Sequence, residues 1–288
     1  MVRNRVWKWV GFGLGGIAVL AVSALAVFYF ASQAIIARHY ESPASNLRAA
    51  NDLAAAARGR HFATVFGCAD CHRHNLQGGF IPDFGISSRN LTRLAAKFSD
   101  RDFDRAVRYG LRPEGTSVSE YMPSDSFQYV ADSDMDDIVA YLRSLKPAGE
   151  DIAFPTYGFQ ARIALLKGDA HMDRFWFSWQ KPAMDLGPRY ARGRQLAMAA
   201  CGECHMTALT GAPALVPPPR PPDLSLVASY QRADFIRLMR TGKAAGNREL
   251  PLMSAAARAR FSHFTDPEIG ALYDYLTARG RKLTGASR

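Results

Sequence analysis

Two five-residue runs carry the chemistry of this chain: Cys68-Ala69-Asp70-Cys71-His72 and Cys201-Gly202-Glu203-Cys204-His205. Together they use all four cysteines. Two thiols three positions apart, followed at once by an imidazole, suit covalent attachment of a haem. The thiols bond to its vinyl groups and the histidine binds its iron. Cys-x-x-Cys alone is ambiguous, since two pairs can build a Cys₄ zinc site and one pair a redox dithiol or a disulfide. The zinc reading requires the pairs to converge and leaves both histidines without a role. The dithiol reading expects a βαβ neighbourhood, and the sequence shows none. The expectation is two covalent c-type haems, held by Cys68, Cys71, Cys201 and Cys204, with His72 and His205 on the irons.

The elements that position these runs repeat along the chain. Gly59-Arg60-His61-Phe62 leads into the first run and Gly193-Arg194-Gln195-Leu196 into the second. Asn90-Leu91-Thr92 begins 18 residues after His72, and Asp223-Leu224-Ser225 begins 18 after His205. Asp102–Gly110 and Asp234–Gly242 then read as helices closed by a C-cap glycine. Met122 follows His72 by 50 residues and Met253 follows His205 by 48. Each unit closes with a helical pattern that carries acidic residues in its first turn, Asp132 to Leu142 and Asp266 to Leu276. No stretch alternates convincingly as a strand, so the fold class expected is all-α. Such small units bury limited apolar area, and a haem would form much of each core.

These residues resemble the class I c-type cytochromes, and among them the membrane-anchored dihaem cytochromes that serve bacterial dehydrogenases as electron-transfer subunits. The likeness rests on both haem motifs, Asn90-Leu91-Thr92, Asp102-Phe103, Arg108-Tyr109-Gly110, Tyr121-Met122-Pro123, Ile138 to Leu145 and Glu268 to Tyr273. It covers about residues 55–148 and 186–280, and a third motif found in some relatives has no counterpart here. The resemblance implies His and Met on opposite faces of each iron, and spacing nominates Met122 and Met253 as the distal ligands. Met122 precedes Pro123, which biases it towards extended backbone. Core packing is the alternative for any methionine. Met135 and Met239 lie within helical patterns and read as core. Met206 adjoins His205 on the proximal side, Met184 and Met198 precede the second motif, and Met172 lies in the linker. His39, His61, His74 and His171 read as surface residues, and His263 is the substitute ligand for the second haem. The resemblance also implies a crossing of first and last helices at Gly59, with Phe62 and Tyr141, and at Gly193, with Leu196 and Tyr275.

Val10–Phe30 is apolar and uncharged, and 21 residues suffice to cross a hydrocarbon core as a helix. Arg3, Arg5 and Lys8 precede it, which places the N-terminus inside and the haem units outside by the positive-inside rule. Trp7, Trp9, Tyr29 and Tyr40 suit the membrane interfaces. A cleaved signal peptide with Ser32-Gln33-Ala34 as its cleavage site is the rival reading. Net charge is +10, but acidic residues are interleaved with the arginines, and no basic block points to nucleic acid. The expected organisation is an anchor over 1–40, a first cytochrome domain over 41–148, a linker over 149–185 and a second domain over 186–288. The aromatic linker, with Phe154-Pro155 and Phe175-Trp176-Phe177-Ser178-Trp179, should pack against its own domains or serve as a docking surface. Pro217-Pro218-Pro219 reads as a stiff extended loop.

Two filled axial positions leave no open site for catalysis, so the expected role is an electron carrier and not an enzyme. It would sit in the bacterial inner membrane, its haem domains in the periplasm. The resemblance implies a dehydrogenase as donor and a cytochrome or terminal oxidase as acceptor. The rival functions are a dihaem peroxidase or thiosulfate-oxidising enzyme with an open or unusual haem, and an integral subunit of a respiratory oxidase.

Overall fold

The structure is a computed structural model that describes residues 2–82, 86–119, 121–154, 157–173, 181–212 and 220–285. The linker run Phe175–Trp179 and the prolines Pro217-Pro218-Pro219 lie outside the described residues.

Each repeat is organised by a helix crossing. In the first, helix Leu53–Val65 begins at Asp52, whose carboxylate accepts the Ala55 amide. It packs on helix Asp132–Ser144. A Cβ at Gly59 would lie 1.7 Å from the Asp137 carbonyl oxygen, so only glycine lets the backbones approach this closely. In the second, helices Ala191–Leu196 and Asp266–Leu283 cross at Gly193, where a Cβ would lie 2.0 Å from the Ala271 carbonyl oxygen. Thr265 and Glu268 open that last helix with a reciprocal capping box. The middle helices, Asp100–Tyr109 and Arg232–Thr241, end at the expected glycines, Gly110 and Gly242. Phe62, Leu196 and Tyr275 are buried at the crossings, and Tyr141 is half-buried.

The molecule is mainly helical, but two small hairpins depart from a purely helical reading. Gly79–Ile81 pairs with Ile86–Ser88, and Lys243–Ala244 pairs with Arg248–Glu249. Strands of two or three residues are too short to show alternation in sequence.

The two repeats do not stand apart. Their buried apolar side chains form one continuous cluster running from Leu47 and Phe62 to Leu196 and Tyr275, with Met135 and Met239 inside it as expected of core methionines. Polar contacts cross the same interface. His61 Nε2 lies 2.9 Å from Glu268 Oε2. Arg192 pairs with Asp134, approaches Glu268 at 3.7 Å and lies over the Phe62 ring.

The N-terminal helix spans Val2–Ile36, and its apolar part, Trp9–Ile36, is long enough to cross a membrane. Trp9, Phe12, Leu20, Val27 and Phe30 are exposed along it, a surface that water would penalise and lipid would cover. Its C-terminal end is docked on the linker. Helix Phe159–Lys167 sets Phe159 against Phe28, with ring centroids 5.0 Å apart. Arg162 donates to Ser32 Oγ at 2.9 Å and to Gln33 Oε1 at 3.0 Å, and stacks over Tyr29. Met172 completes a small cluster with Ile36 and Leu165. The described linker therefore packs on the N-terminal helix, and it also meets both repeats, through the bridge of Met172 to Ser119 and the Lys181 carbonyl that accepts from Thr207.

Candidate haem sites

Both motifs are held by the same local construction. Cys68–His72 forms a short helix, as does Gly202–His205. The chain then turns back, with Arg73 and Leu76 in the first repeat and Met206 and Leu209 in the second at positive φ, between 57° and 61° for Leu76, Leu209 and Met206 and 65° for Arg73. The Leu76 amide donates to the Arg73 carbonyl, and Leu209 donates to Met206, each at 2.9 Å. The Gly78 amide donates to the His72 carbonyl at 2.9 Å, and Gly211 to the His205 carbonyl at 3.1 Å. The returning loop is stitched down by Leu91 donating to Leu76 at 2.8 Å and Leu224 to Leu209 at 3.0 Å.

This loop supplies a partner that the sequence does not advertise. His72 Nδ1 lies 2.8 Å from the Arg89 carbonyl oxygen, and His205 Nδ1 lies 2.7 Å from that of Pro222. Each carbonyl belongs to the residue 17 positions beyond its histidine. A carbonyl can only accept, so Nδ1 carries the hydrogen and Nε2 keeps a free lone pair for a metal. Burial lowers the pKa of both imidazoles, which favours their neutral, metal-binding form. Burial also pushes the Cys68 and Cys201 thiols up to about 12. These sulfurs stand in for the thioether sulfurs of the haem-loaded protein, which do not titrate.

Above the first motif is an apolar cavity lined by Cys68, Cys71, His72, Leu94, Phe103 and Met122, among others. His72 and Met122 therefore share one cavity. Met122 sits on a turn ahead of the four-residue helix Ser124–Phe127, with its amide donating to Ser119. Arg89 and Arg112 also line the cavity and stack on the Phe154 ring, at 4.1 and 4.6 Å from its centroid. The Nε atoms of both arginines are buried without a hydrogen-bond partner. This apolar lining, the thiols, an oriented imidazole and orphaned cationic donors together fit a haem with its anionic propionates. In the second repeat Met253 is half-buried in the first turn of helix Pro251–Ala259 and packs on the common core. His263 is exposed on a short 3₁₀ turn, and His74 is exposed as expected. Met198 is buried, and its sulfur accepts the Ala183 amide at 3.3 Å.

Comparison with known proteins gives the family. The cytochrome c pattern matches residues 56–146 and 190–279, well over half of the chain. The chain belongs to the cytochrome c family. It is similar to the fructose dehydrogenase cytochrome subunit of Gluconobacter japonicus, at 25% identity over 76% of this chain and 51% of that protein. It is also similar to a diheme cytochrome c-type protein of Cereibacter sphaeroides, at 32% identity over 52% of this chain and 56% of the relative. The gluconate 2-dehydrogenase cytochrome c subunit of Pantoea cypripedii is 30% identical over 54% of this chain and 38% of its own length. The matched regions thus span about half or less of these relatives. Two matched cytochrome domains mean two covalently bound haem c groups and an electron-transfer protein.

Proposed function

We propose that this chain is a membrane-anchored relay that passes single electrons from a dehydrogenase to a downstream cytochrome or terminal oxidase. In this reading Cys68, Cys71, His72 and Met122 hold one haem within residues 41–148. Cys201, Cys204, His205 and Met253 hold the other within residues 186–288. When bound, each haem supplies a one-electron ferrous–ferric couple. The chain's own part is to orient the imidazoles through the Arg89 and Pro222 carbonyls, and it would supply a thioether from each methionine and exclude water with apolar walls such as those of the first cavity. A dry pocket disfavours the extra charge of ferric iron and raises the potential. Arg89 and Arg112 would meet the propionates of the first haem.

The observation that carries this reading is the shared cavity of His72 and Met122, and His205 and Met253 are their counterparts by spacing in the second repeat. A closed coordination sphere suits a carrier and leaves no position for substrate. The dehydrogenase donor is supported by the relatives named as dehydrogenase cytochrome subunits. The anchor places the haem domains outside the cytoplasmic membrane, by the positive charge ahead of it. Retention of the anchor is supported by Ser32, which lies inside the helix, is buried and accepts from Arg162. The test is carbon monoxide added to the reduced, haem-loaded protein. Neither haem should bind it. Binding at one haem would favour an enzyme with an open iron.

A further inference from the structure

The two haem motifs are joined by one side chain. Arg260 Nε lies 2.5 Å from Asp70 Oδ2, and a terminal guanidinium nitrogen lies 2.6 Å from Glu203 Oε2. Asp70 and Glu203 are the same position of the two motifs, the residue before the second cysteine. The Arg260 side chain is only 17% exposed, and its site is built to receive it. A Cβ at Gly67 would stand 2.3 Å from the guanidinium carbon, so the glycine just before Cys68 opens the space Arg260 fills. The second repeat needs no such opening. It has one residue fewer between its crossing glycine and its first cysteine, and Ala197–Cys201 runs into the motif as a π-helical turn.

Arg260 caps the helix that begins at Pro251 and carries Met253. The reverse contact also exists. The segment after Met122 packs on the second motif, where a Cβ at Gly202 would stand 2.9 Å from Ser126 Oγ and the Tyr129 hydroxyl shares a hydrogen bond with Thr207. Each methionine segment is therefore seated on the other repeat's haem motif. The cavity that holds His72 and Met122 is itself walled by Glu203 and Arg260. A residue flanked by the attachment cysteines of one haem thus forms part of the pocket of the other.

We propose that Arg260 is a positioning residue that locks the two haem motifs into one rigid pair and that the inter-haem electron crosses at this contact. The exchange is one electron: one iron is oxidised as the other is reduced, and no bond or proton is moved. Arg260 also sets the local charge. With Asp70 and Glu203 ionised, the trio carries one net negative charge, and loss of the guanidinium leaves two adjacent carboxylates beside both motifs. Uncompensated negative charge in a partly buried place stabilises ferric over ferrous iron. This inference rests on the relay reading above.

The experiment is spectroelectrochemical titration of the full-length, haem-loaded protein in detergent, with Soret circular dichroism to report coupling between the haems. Arg260→Gln should lower both midpoint potentials together and weaken the Soret couplet. Asp70→Asn combined with Arg260→Gln restores the net charge without the bridge, so the mean potential should return while the couplet stays weak. Arg260→Lys keeps the charge but lacks the fork that spans two carboxylates, and should show near-normal potentials with a reduced couplet. Should Arg260→Gln fail to load haem, the lysine variant carries the test alone. Unchanged potentials and an unchanged couplet in a haem-loaded Arg260→Gln protein would overturn the proposal. That result would leave the relay reading intact, because carbon monoxide binding is judged independently.

Discussion

The two cytochrome repeats agree where a haem would constrain them and differ where only the chain does. Their proximal sides match bond for bond: histidine to carbonyl, glycine amide to histidine carbonyl, and leucine amide to leucine carbonyl. The ties that hold these loops to the rest of each repeat do not match. Asn90 donates to the carbonyls of Ala148 and Glu150, at 2.7 and 2.8 Å, and its oxygen accepts from Thr92. Asp223 occupies the same place, caps Ser225 and accepts from Arg279, a nearly buried arginine on the last helix that also donates to the Ala208 carbonyl. One repeat closes its haem loop with a neutral amide, and the other with an ion pair. The iron's ligand geometry leaves little room for variation, while the loop's fastening has several chemical solutions.

The largest predicted effect tests whether the shared frame is equally unforgiving in both repeats. Gly59→Val and Gly193→Val should each destabilise the protein by about 3 kcal/mol, because a side chain there collides with a helix backbone. Denaturant titration of the haem-loaded variants measures this, and a near-neutral result at either site would deny the shared crossing. The next effect exchanges the fastenings. Asn90→Asp sets a carboxylate against the two carbonyls and should cost about 2 kcal/mol. Asp223→Asn keeps an acceptor oxygen but removes the charge facing Arg279, and should cost about 1 kcal/mol. Equal costs, read from thermal melts, would mean that the two loops are not fastened differently after all.

The smallest effect is on pH dependence. Burial alone would raise the Asp223 pKa, but Arg279 and the Ser225 amide outweigh it and hold it below the ordinary carboxylate range. A lowered folded pKa contributes stability above the unfolded value of about 3.9, and that contribution is lost as pH falls through the folded value. Asp223 is 38% exposed, so solvent screening keeps the effect under about 1 kcal/mol. Acid melts followed at each haem should show the second repeat losing this increment, and Asp223→Asn should abolish the loss.

Much of this was legible in the sequence because covalent haem attachment demands fixed residue types at fixed spacing. The motifs, the repeat and, through the family resemblance, the crossing glycines can be read between Gly59 and Leu276. The carbonyls of Arg89 and Pro222 could not be, since a backbone acceptor leaves no residue signature. The constant 17-residue offset from each histidine was the one available signal. The positive-φ turns at Arg73, Leu76, Met206 and Leu209 were hidden because none of these residues is glycine. Arg260 was hidden because its partners, Asp70 and Glu203, are 190 and 57 residues away. The docking of helix Phe159–Lys167 on the N-terminal helix was likewise a long-range contact, visible only as an aromatic excess in the linker.

The central claim is that both irons carry a histidine and a methionine. Ferric optical spectra of the parent protein, Met122→Ala and Met253→Ala test it most directly. The parent should show a sulfur-to-iron charge-transfer band for two haems, and each variant should lose the share of one haem while the other is unchanged. A parent protein in which only one haem shows the band, or a Met253→Ala variant that leaves the spectrum intact, would contradict the account.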